Sequence, residues 1–139
     1  MNLVPLSPID LFKAKDILKA SPVFVRSSNI SDLQSFCENL FMEEIPGEPE
    51  IISIEDKESP IGFFKVSKNF PMPGFIHLRI LVIREDNKIK QVAKEVISKL
   101  RMGQTIWIDS PKHQFNEEFW KQLGFTEEAG RWVLQPSNI

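Results

Sequence analysis

Residues Phe75 to Ile83 read Phe-Ile-His-Leu-Arg-Ile-Leu-Val-Ile, with neither glycine nor proline inside the run. So much β-branched and aliphatic surface is the composition of a strand covered on both faces. Arg84-Glu85-Asp86-Asn87 breaks it. Ile89, Val92, Ala93, Val96 and Leu100 then recur at helical spacing, with Lys90, Lys94 and Lys99 on the opposite side. The chain must therefore house a buried strand that leads directly into an amphipathic helix. The start of that helix presents unpaired backbone N–H groups and a positive dipole end, which suits a phosphate or pyrophosphate.

The flanking segments supply the rest of a layered α/β unit. Leu3-Val4-Pro5-Leu6 reads as a short strand. Ser7-Pro8 with Asp10 opens a helix whose stripe is Leu11, Ala14, Ile17 and Leu18, and Ser21-Pro22 ends it. Ser31 caps a second helix with Leu33, Phe36, Cys37, Leu40 and Phe41 on one face, and Pro46-Gly47 stops it. Cys37 on that stripe reads as a small core residue rather than a nucleophile. Ile51–Ile54 and Ile61–Val66 form a hairpin about Asp56-Lys57-Glu58-Ser59, and Pro71-Met72-Pro73-Gly74 turns the chain into the central strand. After Met102-Gly103, Thr105–Ile108 is a strand reached across a helical crossover and so parallel to its predecessor. A short helix carrying Phe115, Phe119 and Leu123 ends at Gly124, and a last hairpin closes about Ala129-Gly130. The expectation is an α/β (α+β) domain over residues 1–139. Its mixed sheet has about seven strands, with an antiparallel front half and one parallel splayed pair, and about four helices flank it on both faces. Parallel neighbours whose following elements diverge leave a crevice at their carboxyl ends, where open α/β sheets bind ligands.

Composition narrows the function. A net charge of -2 speaks against a nucleic-acid surface. The single cysteine excludes an intrachain disulfide and fits a reducing cytoplasm, and no Cys/His cluster has metal-ligand spacing. No apolar run approaches a membrane span.

The order of elements resembles the GNAT superfamily of acyl-CoA-dependent N-acyltransferases over nearly the whole chain. Three segments carry the resemblance: Leu3–Asp10, Leu81-Val82-Ile83-Arg84-Glu85, and Phe119-Trp120-Lys121-Gln122-Leu123-Gly124-Phe125. It implies acetyl-CoA or another acyl-CoA as co-substrate, no metal, and a small-molecule or peptide amine as acceptor, in a monomer or homodimer. The pantetheine would pair with the backbone of Leu81, Val82 and Ile83. The pyrophosphate would rest on the turn and first helical residues, Lys88, Lys90, Gln91, Val92 and Ala93. Two departures stand out. Gln91 and Ile89 replace common glycines of the family's turn, and Trp120 stands where many members place a tyrosine to protonate the leaving thiolate. An indole N–H serves only as a donor, so Trp120 can position a ligand or simply pack against the sheet. Lys88 and Lys90 either flank the diphosphate or are merely solvated.

The bases available to the amine are Glu85, His77, His113 and the Glu43-Glu44 pair. The resemblance gives His113 a position near the cofactor, where the family often has asparagine. Two functions follow: an N-acyltransferase in which a primary amine attacks the thioester directly, or a domain of the same fold that has lost catalysis and acts as a ligand-binding or protein-interaction module. In the second, side chains such as Gln91, Trp107 and Trp120 fill the crevice.

Overall fold

The Phe75–Ile83 run is the middle strand of a seven-stranded sheet in a computed structural model that describes residues 1–42, 47–111 and 114–136. In chain order the strands are β1 (Asn2–Pro5), β2 (Glu50–Asp56), β3 (Ser59–Lys68), β4 (Phe75–Ile83), β5 (Thr105–Ile108), β6 (Thr126–Glu128) and β7 (Arg131–Leu134). The helices are α1 (Leu11–Lys19), α2 (Pro22–Ser27), α3 (Leu33–Met42), α4 (Ile89–Leu100) and α5 (Glu117–Leu123), with a 3-10 turn over Pro8–Asp10. Across the sheet the order is β1-β2-β3-β4-β5-β7-β6. Among the described residues only β4 and β5 run parallel. This is the mixed sheet that the sequence implies.

The helix count differs by one. Ser21-Pro22 does end α1, but Pro22 also opens α2. Proline's fixed φ fits the first helical turn, where its missing N–H has no intrahelical acceptor to lose. The cap of α3 lies one residue later than expected. Asp32, not Ser31, accepts the Ser35 N–H at 3.2 Å, and that bond together with the Ser35 hydroxyl lowers the Asp32 pKa. The expected stop at Pro46 lies outside the described residues.

The sheet separates two cores. On one face α1, α2 and α3 bury Ala14, Ile17, Leu18, Phe24, Cys37 and Leu40 against Ile51, Phe63 and Val82. On the other, α4 and α5 bury Ala93, Val96, Ile97, Phe119 and Trp120 against Phe64, Leu81, Ile83 and Ile106. Adjacent β4 residues thus enter opposite cores, Leu81 and Ile83 one, Val82 the other. That is why the run is apolar without alternation. Cys37 is fully buried, and burial pushes its thiol up to about 11.

β4 and β5 pair at only three positions, Phe75↔Thr105, Ile76↔Ile106 and His77↔Trp107. β3 by contrast follows β4 to its end, from Lys68↔Ile76 to Gly62↔Ile83. The register slips between Lys65↔Ile80 and Val66↔Leu78, so Arg79 is an extra residue on β4. Such a bulge bends its strand and increases the twist, and it lies just past the last β4–β5 pair.

Gly62 fixes how closely β3 approaches the free end of β4. A Cβ there would lie 2.6 Å from the Val82 carbonyl oxygen and 3.3 Å from Ile83 Cα. Backbone cannot yield without moving the strand, so Gly62→Ala should cost about 2 kcal/mol of stability, seen as a lower urea midpoint at unchanged m-value.

Candidate active site

Past the last β4–β5 pair the two strands part around a cavity of about 170 Å³. Its walls are residues 78–81 of β4, Ile108 and Asp109 at the end of β5, and Phe115 and Trp120 beside α5. Peptide groups on the inner edge of a parted pair lose their ladder partners and need others. Peptide directions alternate along a strand, so Val82 faces β3 while Leu81 and Ile83 face the gap. On the gap side Ile83 donates its N–H to Gln114 Oε1 at 2.9 Å, and Gln114 Nε2 donates to the Ile83 carbonyl at 2.6 Å. Ser21 Oγ is 3.2 Å from that carbonyl but 2.7 Å from Ile17 O, and its single proton belongs to the nearer acceptor. β5 has already departed at the level of Leu81.

Trp120 is set by local sequence. Asn116 caps α5 by accepting the Phe119 N–H at 3.0 Å, with Glu117 and Glu118 in the first turn. Gly124 at φ 106 then lets Phe125 donate its N–H to Trp120 O at 3.1 Å. The indole packs edge-on against Phe115, Phe119 and Phe125 at 5.1–5.7 Å and is only 4% exposed. Its Nε1 is buried without a hydrogen-bond partner among the described residues. A buried indole N–H ordinarily finds an acceptor.

An aromatic stack holds together the paired part of β4 and β5. The His77 ring lies 3.6 Å from Trp107 with 2° between planes, Trp107 Nε1 donates to Phe70 O at 2.9 Å, and the Arg131 guanidinium sits 4.6 Å over the Trp107 ring. Asp109, on the cavity rim, accepts from His77 Nε2 at 3.1 Å, leaving Nδ1 as a buried acceptor with no partner among the described residues. Burial first, and then the Arg79 charge, lowers the His77 pKa to about 4 against the opposing pull of Asp109. The ring is neutral at physiological pH and a weak base.

The other described candidates lie along the β4–α4 turn and the start of α4. Glu85 Oε2 accepts the Val23 N–H at 2.6 Å, capping α2, while its own N–H donates to Ala20 O at 2.8 Å. With Lys88, Gln91 and Val92 it lines a second depression that also contains Asp56, Asp86 and Glu95. Lys88, Lys90 and Gln91 are exposed, Val92 is half-buried, and Ala93 is fully buried, so Ala93 offers a ligand only its backbone. No side chain caps α4 and no acid occupies its first turn, which leaves the N–H groups of Ile89, Lys90 and Gln91 for an anion. Arg84 is engaged by Asp86 at 3.1 Å. His113, Glu43 and Glu44 lie outside the described residues. Gln114 and Asp109 carry the geometry that sequence reasoning missed. Asp109 had a signal, a carboxylate directly after β5, and Gln114 had none. Among the described residues no group of three or more His, Cys, Asp or Glu is placed to hold a metal ion, and no helix is long and apolar enough to cross a membrane.

No protein-family profile and no curated protein matches the sequence. The fold is shared with solved acetyltransferase structures. An acetyltransferase from Thermus thermophilus superposes with a TM-score of 0.74 at 18% identity, covering 96% of this chain and 95% of that one. Aminoglycoside 6'-acetyltransferase type Ii gives 0.61 at 15% identity over 96% and 94%. A GNAT family acetyltransferase from Brucella melitensis in complex with acetyl-CoA gives 0.60 at 12% identity over 96% and 86%. The chain thus has the GNAT fold.

The depressed His77 pKa makes a pH test of this arrangement. The unfolded chain takes up the proton near 6.5 and the folded one only near 4, so the neutral ring's contribution is complete above about 6.5 and is lost as pH falls to about 4. Urea unfolding between pH 7.5 and 4.5 should show a loss on the order of 2 kcal/mol that His77→Phe, which keeps an aromatic ring against Trp107, largely removes.

Proposed function

We propose that this chain is an N-acyltransferase of GNAT type, acting as one domain over residues 1–139, that moves an acetyl or other acyl group from acyl-CoA to a primary amine. The parting of β4 from β5 carries the proposal. It leaves the Leu81 and Ile83 peptide edge without a strand partner and ends in a cavity lined by Trp120, whose indole N–H has no partner among the described residues. A shared fold with an acetyltransferase held with acetyl-CoA supports it.

In this reading the pantetheine amides pair with Ile83, and the Leu81 N–H stabilises the oxyanion that forms at the thioester carbonyl. Val82 backs the edge through β3. The diphosphate sits on the N–H groups that open α4, with Lys88, Lys90 and Gln91 at its flank and Val92 and Ala93 anchoring the turn. The neutral amine attacks the carbonyl carbon, the C–N bond forms, and the C–S bond breaks to release CoA thiolate. The proton lost by nitrogen passes to Asp109 or through water and ends on the thiolate. Asp109 takes, at the cavity rim, the role expected of Glu85 or His113. Trp120 donates a hydrogen bond to the sulfur or carbonyl and transfers no proton. The acceptor is a small-molecule amine, as the name of the aminoglycoside enzyme records for that relative. The protein works in the cytoplasm as a monomer or a homodimer.

One observation favours the second reading, a domain without catalysis. Asp56, Glu85, Asp86 and Glu95 surround Lys88 and Gln91 in the depression at the α4 end, a setting that opposes a diphosphate.

Calorimetric titration with acetyl-CoA and CoA decides between the two. Micromolar binding that Gln91→Glu weakens by roughly tenfold and Lys88→Ala by less places the diphosphate at α4, whereas no binding up to millimolar ligand sinks the proposal. Given activity, Trp120→Phe keeps the packing and removes the donor. It should lower kcat roughly tenfold with little change in the acceptor KM.

A further inference from the structure

We propose that Gln114 is a side-chain latch: its amide occupies the pantetheine's place on β4 in the free protein and must swing away before acyl-CoA can seat. The inference rests on the acyl-CoA reading above.

The geometry is that of a primary amide edge, whose C=O and the N–H cis to it face the same way. Gln114 Oε1 accepts from the Ile83 N–H at 2.9 Å and Nε2 donates to the Ile83 carbonyl at 2.6 Å, so one amide satisfies both groups of one residue. A neighbouring strand would make the same pair of bonds, and so would an extended ligand carrying secondary amides. Ile83 lies two residues beyond Leu81 on the same edge, so a ligand running along β4 to the Trp120 cavity passes this point. Gln114 and such a ligand compete for the same two groups.

The contact is well matched to a reversible role. A β-strand in this position would have to be unzipped, whereas a glutamine leaves by rotation about its own side-chain bonds. It also keeps the Ile83 groups from standing unpaired when no ligand is present. Two neutral hydrogen bonds of ordinary strength hold the closed form at roughly tenfold over the open one, and apparent affinity is reduced by the fraction of molecules that are open.

The test compares wild type with Gln114→Ala and Gln114→Met, the second keeping side-chain length without either bond. CoA affinity is measured by calorimetry, and exchange of the Ile83 amide proton is measured in the unliganded proteins. The expected result is roughly tenfold tighter CoA binding in both variants with faster Ile83 exchange. Equal or weaker CoA binding by folded variants overturns the latch and leaves the cofactor reading standing. If neither wild type nor variants bind CoA up to millimolar concentration, the cofactor reading fails and the latch falls with it.

Discussion

Backbone N–H and C=O groups inside a protein have to be paired, and most of this molecule is arranged around one short stretch where the sheet does not pair them. β4 is held along its whole length by β3 but by β5 over only three residues. Beyond those three, the two backbone groups of Ile83 are met by a side chain, Gln114, in place of a strand. The Arg79 bulge, the close approach at Gly62 and the capped helix that carries Trp120 all serve to hold that edge apart from β5. An open strand edge ordinarily invites aggregation. Here it is short, walled by aromatic groups and partly met by Gln114, which limits what can pair with it.

The paired end of the same two strands is built in the opposite way. His77, Trp107 and Phe70 stack across β4, β5 and the loop between β3 and β4, with Arg131 closing over Trp107. Neutral His77 suits such a stack better than a charged imidazolium would, since the burial that depresses its pKa also removes the hydration a cation needs. The rigid end fixes where the strands diverge. Asp109 belongs to both regions, bonded to His77 on one side and exposed on the cavity rim on the other.

What could be read from the residues was set by the range of the forces involved. The β4–α4 unit was legible because local composition and periodicity specify it, from Phe75 through Leu100. The α2 helix was not, because a Ser-Pro step is compatible with both the end of one helix and the start of the next, and only packing of Phe24 decides. In the site, the splayed pair could be inferred from the parallel crossover, whereas the identity of the groups facing the gap depended on strand parity. Val82 was named with Leu81 and Ile83, yet its peptide groups turn toward β3. The contacts that define Glu85 and Gln114 join residues 62 and 31 positions apart, and no spacing rule reports such pairings. His113, one residue from Gln114, carries a signal in its side-chain chemistry, while a glutamine in a loop carries none until its partner is known.

Cys37 has a practical bearing on the acyl transfer proposed for the far side of the sheet. It is the only cysteine in the chain, it sits fully buried in the α1–α3 core, and its thiol ionises only near 11. Thiol–disulfide exchange runs through the thiolate and requires access, so the native protein is silent toward a chromogenic disulfide reagent. Any colour that develops with acyl-CoA and an amine would count CoA released from thioester, as the proposed reaction requires. Any that develops in its absence times the opening of that core, and the molecule carries its own clock for unfolding.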